Sequence, residues 1–220
     1  TYRSIYEWVN AIVFATVVAS LIHIFFFQMY VIPSSSMEKT LLVGDYLYVS
    51  KVTYGPKMPN TPLSFPFVHH TMPLSTTKKS FSEAIKWPYK RLKGLRDIER
   101  NDVVVFNFPA GDTVLLENQA ITYYDVVREY EAELGPVAGR KALERDYTII
   151  SRPVDKRENY IKRCVALPGD EVRIVDGELF VNDKPQEKIG EVQYCYTIRT
   201  SSPLSAYAVE KMGITEMSGN

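Results

Sequence analysis

The sequence predicts a mainly β chain, led by one membrane-crossing helix and interrupted by helical insertions. Three observations carry that expectation. Residues 8–27, WVNAIVFATVVASLIHIFFF, hold no Asp, Glu, Lys or Arg, although charge makes up 24% of the chain. Beyond them lie short β-branched or aromatic runs bounded by Gly, Pro, Asn and Asp, which read as strands. Between two such runs, residues 117–146 follow a helical period broken at Gly135-Pro136. The 220 residues are 45% apolar, which excludes a disordered tail or a collagen-like repeat. The balance of 26 basic against 26 acidic side chains gives no whole-chain argument for binding nucleic acid.

Twenty uncharged residues at about 1.5 Å rise span roughly 30 Å, the thickness of a bilayer's hydrocarbon core. We therefore assign residues 1–30 to a transmembrane anchor with membrane lipid as its partner. A cleaved signal peptide would have a shorter apolar core and end on an Ala-x-Ala-like site, whereas this run ends in Phe25, Phe26, Phe27, Gln28, Met29 and Tyr30. Arg3 before the run and Lys39 after it leave orientation weakly specified by charge, and the chain begins at Thr1 without a methionine. Residues 31–55 form a β segment in which Tyr46-Leu47-Tyr48-Val49 is the clearest strand. Residues 56–99 form a Pro-rich and basic insertion. Its first part, with five prolines in 56–76, reads as a loop, and His69 and His70 lack further ligands for a metal site. From Pro73 to Arg100 eight Lys or Arg stand against three acids among aromatic residues. That stretch reads either as a surface on anionic lipid or as a solvated helix interrupted at Pro88.

Residues 100–116 contain the buried-strand run Val103-Val104-Val105-Phe106. Residues 117–150 are a helical insertion whose Tyr123, Tyr124, Val127 and Tyr130 share one face, as packing rather than function. Residues 151–185 hold a strand from Tyr160 to Ala166, then a hairpin: Val172 to Val175, the turn Asp176-Gly177, and Glu178 to Val181. Residues 186–220 start a further β region, with Val192 to Thr200 as one more strand, and end without a closing element. Cys164 and Cys195 would pair only outside the cytoplasm; a buried thiol at Cys164 is the commoner outcome.

No nucleotide loop, metal cluster or cofactor motif is present, so no cofactor and no metal are expected. Two features call for chemistry. Ser34, Ser35 and Ser36 lie between Ile32-Pro33 and Met37, and Lys162 lies inside an apolar strand. A serine hydroxyl needs a base, and a lysine amine serves as one only when desolvation keeps it neutral near pH 7. Taken alone, the serines read equally as a turn and Lys162 as a strand residue reaching to water.

Three strings in order change that balance. Ile32-Pro33-Ser34-Ser35-Ser36-Met37 with Thr40-Leu41-Leu42-Val43-Gly44-Asp45, Val49-Ser50-Lys51 and Tyr54-Gly55 resembles the nucleophile box of bacterial type I signal peptidases (leader peptidases). Arg100-Asn101-Asp102-Val103-Val104-Val105-Phe106 resembles the family's next box, and Tyr160-Ile161-Lys162-Arg163-Cys164-Val165-Ala166-Leu167-Pro168-Gly169-Asp170 its lysine box. The resemblance spans about residues 1–185. It implies a coiled, barrel-like catalytic β domain, with 31–55 as its nucleophile segment and 151–185 carrying the base. It implies that Ser36 is the nucleophile and Lys162 the general base, with the Ser34 hydroxyl and the Ser36 backbone N–H forming the oxyanion hole. By the same resemblance Tyr30, Ile32, Met37, Leu41, Leu47, Val105, Tyr160 and Ile161 line shallow apolar pockets that admit alanine and exclude larger side chains.

The implied activity is membrane-bound serine endopeptidase cleavage of signal peptides after Ala-x-Ala. The partners would be signal peptides of secreted preproteins, at a single-pass bacterial inner-membrane location with the catalytic domain on the extracytoplasmic side. Nine residues from Phe27 to Ser36 keep the nucleophile within about 30 Å of the bilayer. Two departures matter. Lys39 stands where the family usually has Pro, which should alter the turn after the nucleophile rather than the dyad. The family's C-terminal Gly-Asp-Asn-Arg-Asp-Asn-Ser box does not occur in these residues, so the chain is expected to be a piece of a longer protein or an impaired, membrane-anchored peptide-binding homologue. A further enzymatic reading, a self-cleaving repressor-type Ser-Lys peptidase, fits less well because those are soluble and lack an anchor.

Overall fold

A computed structural model describes residues 2–109, 111, 113–118, 121–187, 197–200 and 202–214. The chain divides into two units, residues 1–187 and 188–220.

Helix α1, Tyr2–Phe25, is apolar all round, with no residue buried against the rest of the protein. Its 24 residues make it long and apolar enough to cross a membrane. It starts earlier than the uncharged run, where an Arg3–Glu7 pair at 3.1 Å supports the first turns. It ends two residues before Phe27. Strand β1, Phe27–Val31, follows at once and pairs antiparallel with β2, Tyr46–Ser50, in the register Met29↔Tyr48 and Tyr30↔Leu47. Lys51, just past β2, closes the helix end: its N–H donates to Phe26 O at 2.8 Å and its Nζ to His23 O at 2.5 Å. One of the carbonyls that every helix leaves unpaired at its C-terminus is thereby satisfied. Burial of the ammonium, and then the charge of Lys57, draw the Lys51 pKa down to about 8.

Residues 56–99 contain no helix, contrary to the solvated-helix alternative. Prolines remove ladder donors, so the insertion closes as an irregular hairpin. Leu92 N bonds Pro56 O, Met58 N bonds Lys90 O, Ser82 N bonds Leu63 O and Met72 N bonds Lys78 O, all at 2.8–2.9 Å. This hairpin is joined to the segment preceding Lys162. The buried Thr61 donates its N–H and its hydroxyl to Asp155 Oδ2, each at 2.9 Å. His70 Nε2 meets Glu158 Oε1 at 2.9 Å, and Lys57 donates to Asn107 Oδ1.

Strand β3, Val103–Asn107, carries the β-branched run. Strand β4, Thr113–Leu115, precedes α2, Tyr123–Leu134, and α3, Pro136–Asp146, which meet at Gly135. Thr122 caps α2 by accepting from Asp125 N at 3.2 Å, and Pro136 starts α3 where its missing N–H costs nothing. The two helices close on Leu115, Val126, Val127 and Leu143. A Cβ on Gly139 would stand 2.5 Å from the Tyr130 carbonyl oxygen, so glycine permits this approach. Tyr124, expected on the apolar face, is 41% exposed; Val126 takes the inner position instead. Strand β5, Ile149–Ser151, pairs with β4, and β6, Asn159–Arg163, pairs antiparallel with β3. Strands β7, Val172–Val175, and β8, Glu178–Val181, form the hairpin at the expected residues, with positive φ at Asp176 and Gly177 as the two-residue turn requires. Strand β9, Lys184–Pro185, adds to β8.

The expected N-terminal apolar helix and the β-rich content after it are found, in a mixture of helix and strand, and the barrel-like closure is corrected. Among the described residues four small sheets stand separately, β1-β2, β3-β6, β4-β5 and β7-β8-β9, with no closed barrel. Among the described residues helix contributes more than strand, because α1 and the α2–α3 hairpin are long and the strands short. In the second unit Ser205 caps α4, Ala206–Lys211. The strand expected over Val192 to Thr200 lies outside the described residues up to 196, and residues 197–200 are irregular.

Candidate active site

Ser36 sits in a single 3-10 turn, Ser35–Met37, entered through extended Ser34 at φ −139° and ψ 155°. Ile32 and Met37 on either side are buried, 3% and 8% exposed, and hold the turn from below while Ser36 faces out. Ile32 exchanges backbone bonds with the returning chain, N to Asp45 O at 3.0 Å and O from Gly44 N at 2.9 Å. Asp45 Oδ2 accepts Leu42 N at 2.8 Å, a side-chain turn that brings the loop back into β2.

Lys162 lies in β6 opposite Val104, and its Nζ reaches Ser36 Oγ at 2.5 Å across 126 residues of sequence. Ser34 Oγ lies 3.5 Å from Ser36 Oγ. A hydroxyl, an amine and a second hydroxyl thus converge on one exposed turn. Arg163, the next residue, ties the strand to the loop by donating to Thr40 Oγ1 and to Asn101 O, both at 2.9 Å. The sequence reading missed this clamp, although the position of Arg163 beside Lys162 was its signal.

The remaining candidate residues fall into separate groups. Tyr30 and Leu47 are cross-strand partners in the β1–β2 ribbon, and Leu41 is half-buried after the turn. In the β3–β6 pair, alternation puts Tyr160 on the face of Lys162, whereas Val105 and Ile161, mutual partners, lie on the other face. At position 39 the backbone has φ +69°, which proline, locked near −65°, cannot adopt. The departure at Lys39 therefore coincides with a turn of a different form, while Ser36 and Lys162 still meet.

The other residues of the motif strings do structural work. Asp102 accepts from Arg96, Tyr54 OH and Glu99 N, and the Arg96 guanidinium above all holds its pKa down to about 2. Asp170 accepts from Arg100, Leu167 N and Asn182, which keeps it well below the usual carboxylate range. Both carboxylates lie beyond the Val103–Arg163 end of the β3–β6 pair, where Cys164 N donates to Asp102 O and Cys164 O accepts from Asn101 N, continuing the ladder. Cys164 Sγ lies 3.3 Å from Ala166 O; Cys195 lies outside the described residues. Among the described residues no cluster of His, Cys, Asp and Glu has the makings of a metal site.

Residues 5–212 match the family model described as signal peptidase, peptidase S26. The chain is 26% identical to Signal peptidase I of Rickettsia massiliae (strain Mtu5) over 182 residues, which are 83% of this chain and 44% of that protein. It is 25% identical to that of Rickettsia felis (strain ATCC VR-1525 / URRWXCal2) over the same shares, and 23% identical to that of Rickettsia prowazekii (strain Madrid E) over 84% of this chain and 47% of that one. The chain spans about half the length of the curated relatives it matches. No solved structure matches it significantly. On the family match, which covers nearly the whole chain including the turn of Ser36 and the strand of Lys162, the protein belongs to the signal peptidase S26 family.

Proposed function

We propose that the chain is the membrane-anchored, catalytic part of a serine endopeptidase that removes signal peptides from translocated preproteins after Ala-x-Ala, using Ser36 and Lys162. The observation that carries this reading is the 2.5 Å approach of Lys162 Nζ to Ser36 Oγ. Lys162 takes the Ser36 proton as Oγ attacks the carbonyl of the small residue that precedes the scissile bond. The Ser34 hydroxyl and the Ser36 backbone N–H stabilise the oxyanion. The lysine then gives its proton to the leaving amine, and water, activated by the same amine, hydrolyses the acyl-enzyme. Ile32, Met37 and Leu41 around the turn, with Tyr30, Leu47 and Tyr160, form the apolar wall that favours alanine. Val105 and Ile161 shape it from behind the strand that carries Lys162.

Position agrees with such a substrate. Helix α1 ends at Phe25, eleven residues before Ser36, so the nucleophile lies at most on the order of 40 Å from the helix end. The cleavage site of a membrane-held signal peptide emerges at that level. We place the anchor as a single pass in a bacterial inner membrane, with the catalytic residues on the extracytoplasmic face.

The test is incubation of the detergent-purified chain with a preprotein carrying Ala-x-Ala, and with the same preprotein carrying Trp in place of the last Ala, followed by N-terminal sequencing of the products. A single cut after the alanine, lost with Trp, supports the proposal. A cut elsewhere, or one indifferent to Trp, contradicts it. Tight binding of the signal peptide without any cut favours a peptide-binding homologue.

A further inference from the structure

The insertion hairpin extrudes part of one strand toward α1. Ser80 pairs twice with the opposite strand: its carbonyl accepts from Phe65 N at 2.7 Å, and its N–H donates to His70 O at 3.1 Å. Residues 66–69, bracketed by those two bonds, are left outside the ladder as a prong. His69 turns back, its Nε2 at 2.9 Å from Arg157 O, and holds the base of the prong. At the tip Phe67 adopts φ +60°, a left-handed conformation that a bulky side chain rarely takes. Its ring meets the His23 ring edge-on, with centroids 5.5 Å apart.

His23 lies two residues before the end of α1, about 3 Å along the axis. Phe67 is therefore held at the level where a helix crossing a membrane passes from hydrocarbon to headgroups. Phe65 and Phe67 are 53% and 60% exposed, and Pro66 between them is exposed as well. The Lys51 ammonium is bound to the same helical turn. Residues 73–100 that complete the hairpin carry eight Lys or Arg against three acids. Exposed aromatic rings at this depth, in a basic surrounding, match an interface of anionic headgroups over acyl chains.

We propose that the Phe65-Pro66-Phe67 prong inserts into the outer boundary of an anionic bilayer beside α1, giving the protein a second membrane contact. The proposal rests on α1 spanning the membrane and is independent of the catalytic reading. It is tested by placing one tryptophan at a time in the full chain, in vesicles of equal parts phosphatidylcholine and phosphatidylglycerol with lipids brominated at a shallow or a deep acyl position. One variant, Trp87→Phe, retains Trp8 in α1 as the sole tryptophan. The others combine Trp8→Phe and Trp87→Phe with Phe67→Trp, Phe65→Trp or Leu74→Trp. The tryptophans at 67 and 65 are expected to be blue-shifted and to lose most of their emission to the shallow bromines. Free N-acetyltryptophanamide in the same vesicle suspension supplies the aqueous reference, and Leu74, fully exposed at the hairpin tip, reports how far along the hairpin any insertion extends. Quenching of Trp8 with position 67 and position 65 both behaving like the free amide overturns the prong alone. Quenching of none overturns the anchor together with it.

Discussion

Asp155→Ala tests how the insertion is joined to the strand that carries Lys162. Thr61 is 1% exposed, and both its N–H and its hydroxyl donate to the same carboxylate oxygen at 2.9 Å. Hydrogen bonds to a charged acceptor contribute about 1.5–3 kcal/mol each, and a buried donor left unpaired costs about 1–3 kcal/mol. Loss of the carboxylate should therefore destabilise the chain by about 3–5 kcal/mol. Thr61→Val removes one donor and keeps the shape, so it should cost about 1–3 kcal/mol in the wild-type background. In the Asp155→Ala background it should cost almost nothing, because the hydroxyl has already lost its acceptor. Urea unfolding of the four proteins of this cycle in one detergent, followed by tyrosine fluorescence and circular dichroism, gives the coupling directly. An Asp155→Ala cost below about 1 kcal/mol, or equal Thr61→Val costs in the two backgrounds, would show that the Thr61–Asp155 bonds do not hold the insertion.

Further outcomes follow from the site and the insertion. Ser34→Ala should lower kcat about 100- to 1,000-fold with little change in KM, and Ser34→Thr should restore much of it; peptide-cleavage kinetics showing a loss below about tenfold would remove Ser34 from oxyanion binding. Lys39→Pro cannot reach φ +69° and should lower both melting temperature and cleavage, whereas Lys39→Gly should be tolerated. Normal stability and activity of the proline variant would count against the turn described. Acid should loosen the insertion in two stages. Burial holds the His69 imidazole below its usual pKa, so the unfolded chain gains protons first and stability declines as pH falls below about 6.5. The hydrogen bond from His70 holds Glu158 below the usual range, so its contribution is present above about pH 4.3 and is lost as pH falls through its lower folded value. Amide exchange over residues 57–91, and its change in Glu158→Gln, reads both stages; a profile flat from about pH 7.5 to about 2 would contradict them.

The parts legible in the sequence are those set by local signals. The uncharged run became α1, the Asp-Gly turn fixed the β7–β8 register, and Gly135-Pro136 separated α2 from α3. The insertion was not legible because its order comes from partners far away: Thr61 with Asp155 across 94 residues and His69 with Arg157 across 88. Proline and basic residues there gave neither helical nor strand periodicity, and distant side chains supply the hydrogen bonds that a regular ladder would have made. The approach of Lys162 to Ser36, 126 residues apart, lay equally beyond any local pattern. Only the order of three motif strings pointed to it. Strand alternation divides the candidate pocket residues, since Ile161 and Lys162 are adjacent in sequence and so point to opposite faces.

Whether Ser36 and Lys162 act as nucleophile and base is decided by single-turnover cleavage of an Ala-x-Ala preprotein by the wild-type chain, Ser36→Ala and Lys162→Met, each first shown to be folded by circular dichroism. The wild type should cleave, and each variant should lose at least about 100-fold in rate. Near-wild-type cleavage by either folded variant would contradict those roles.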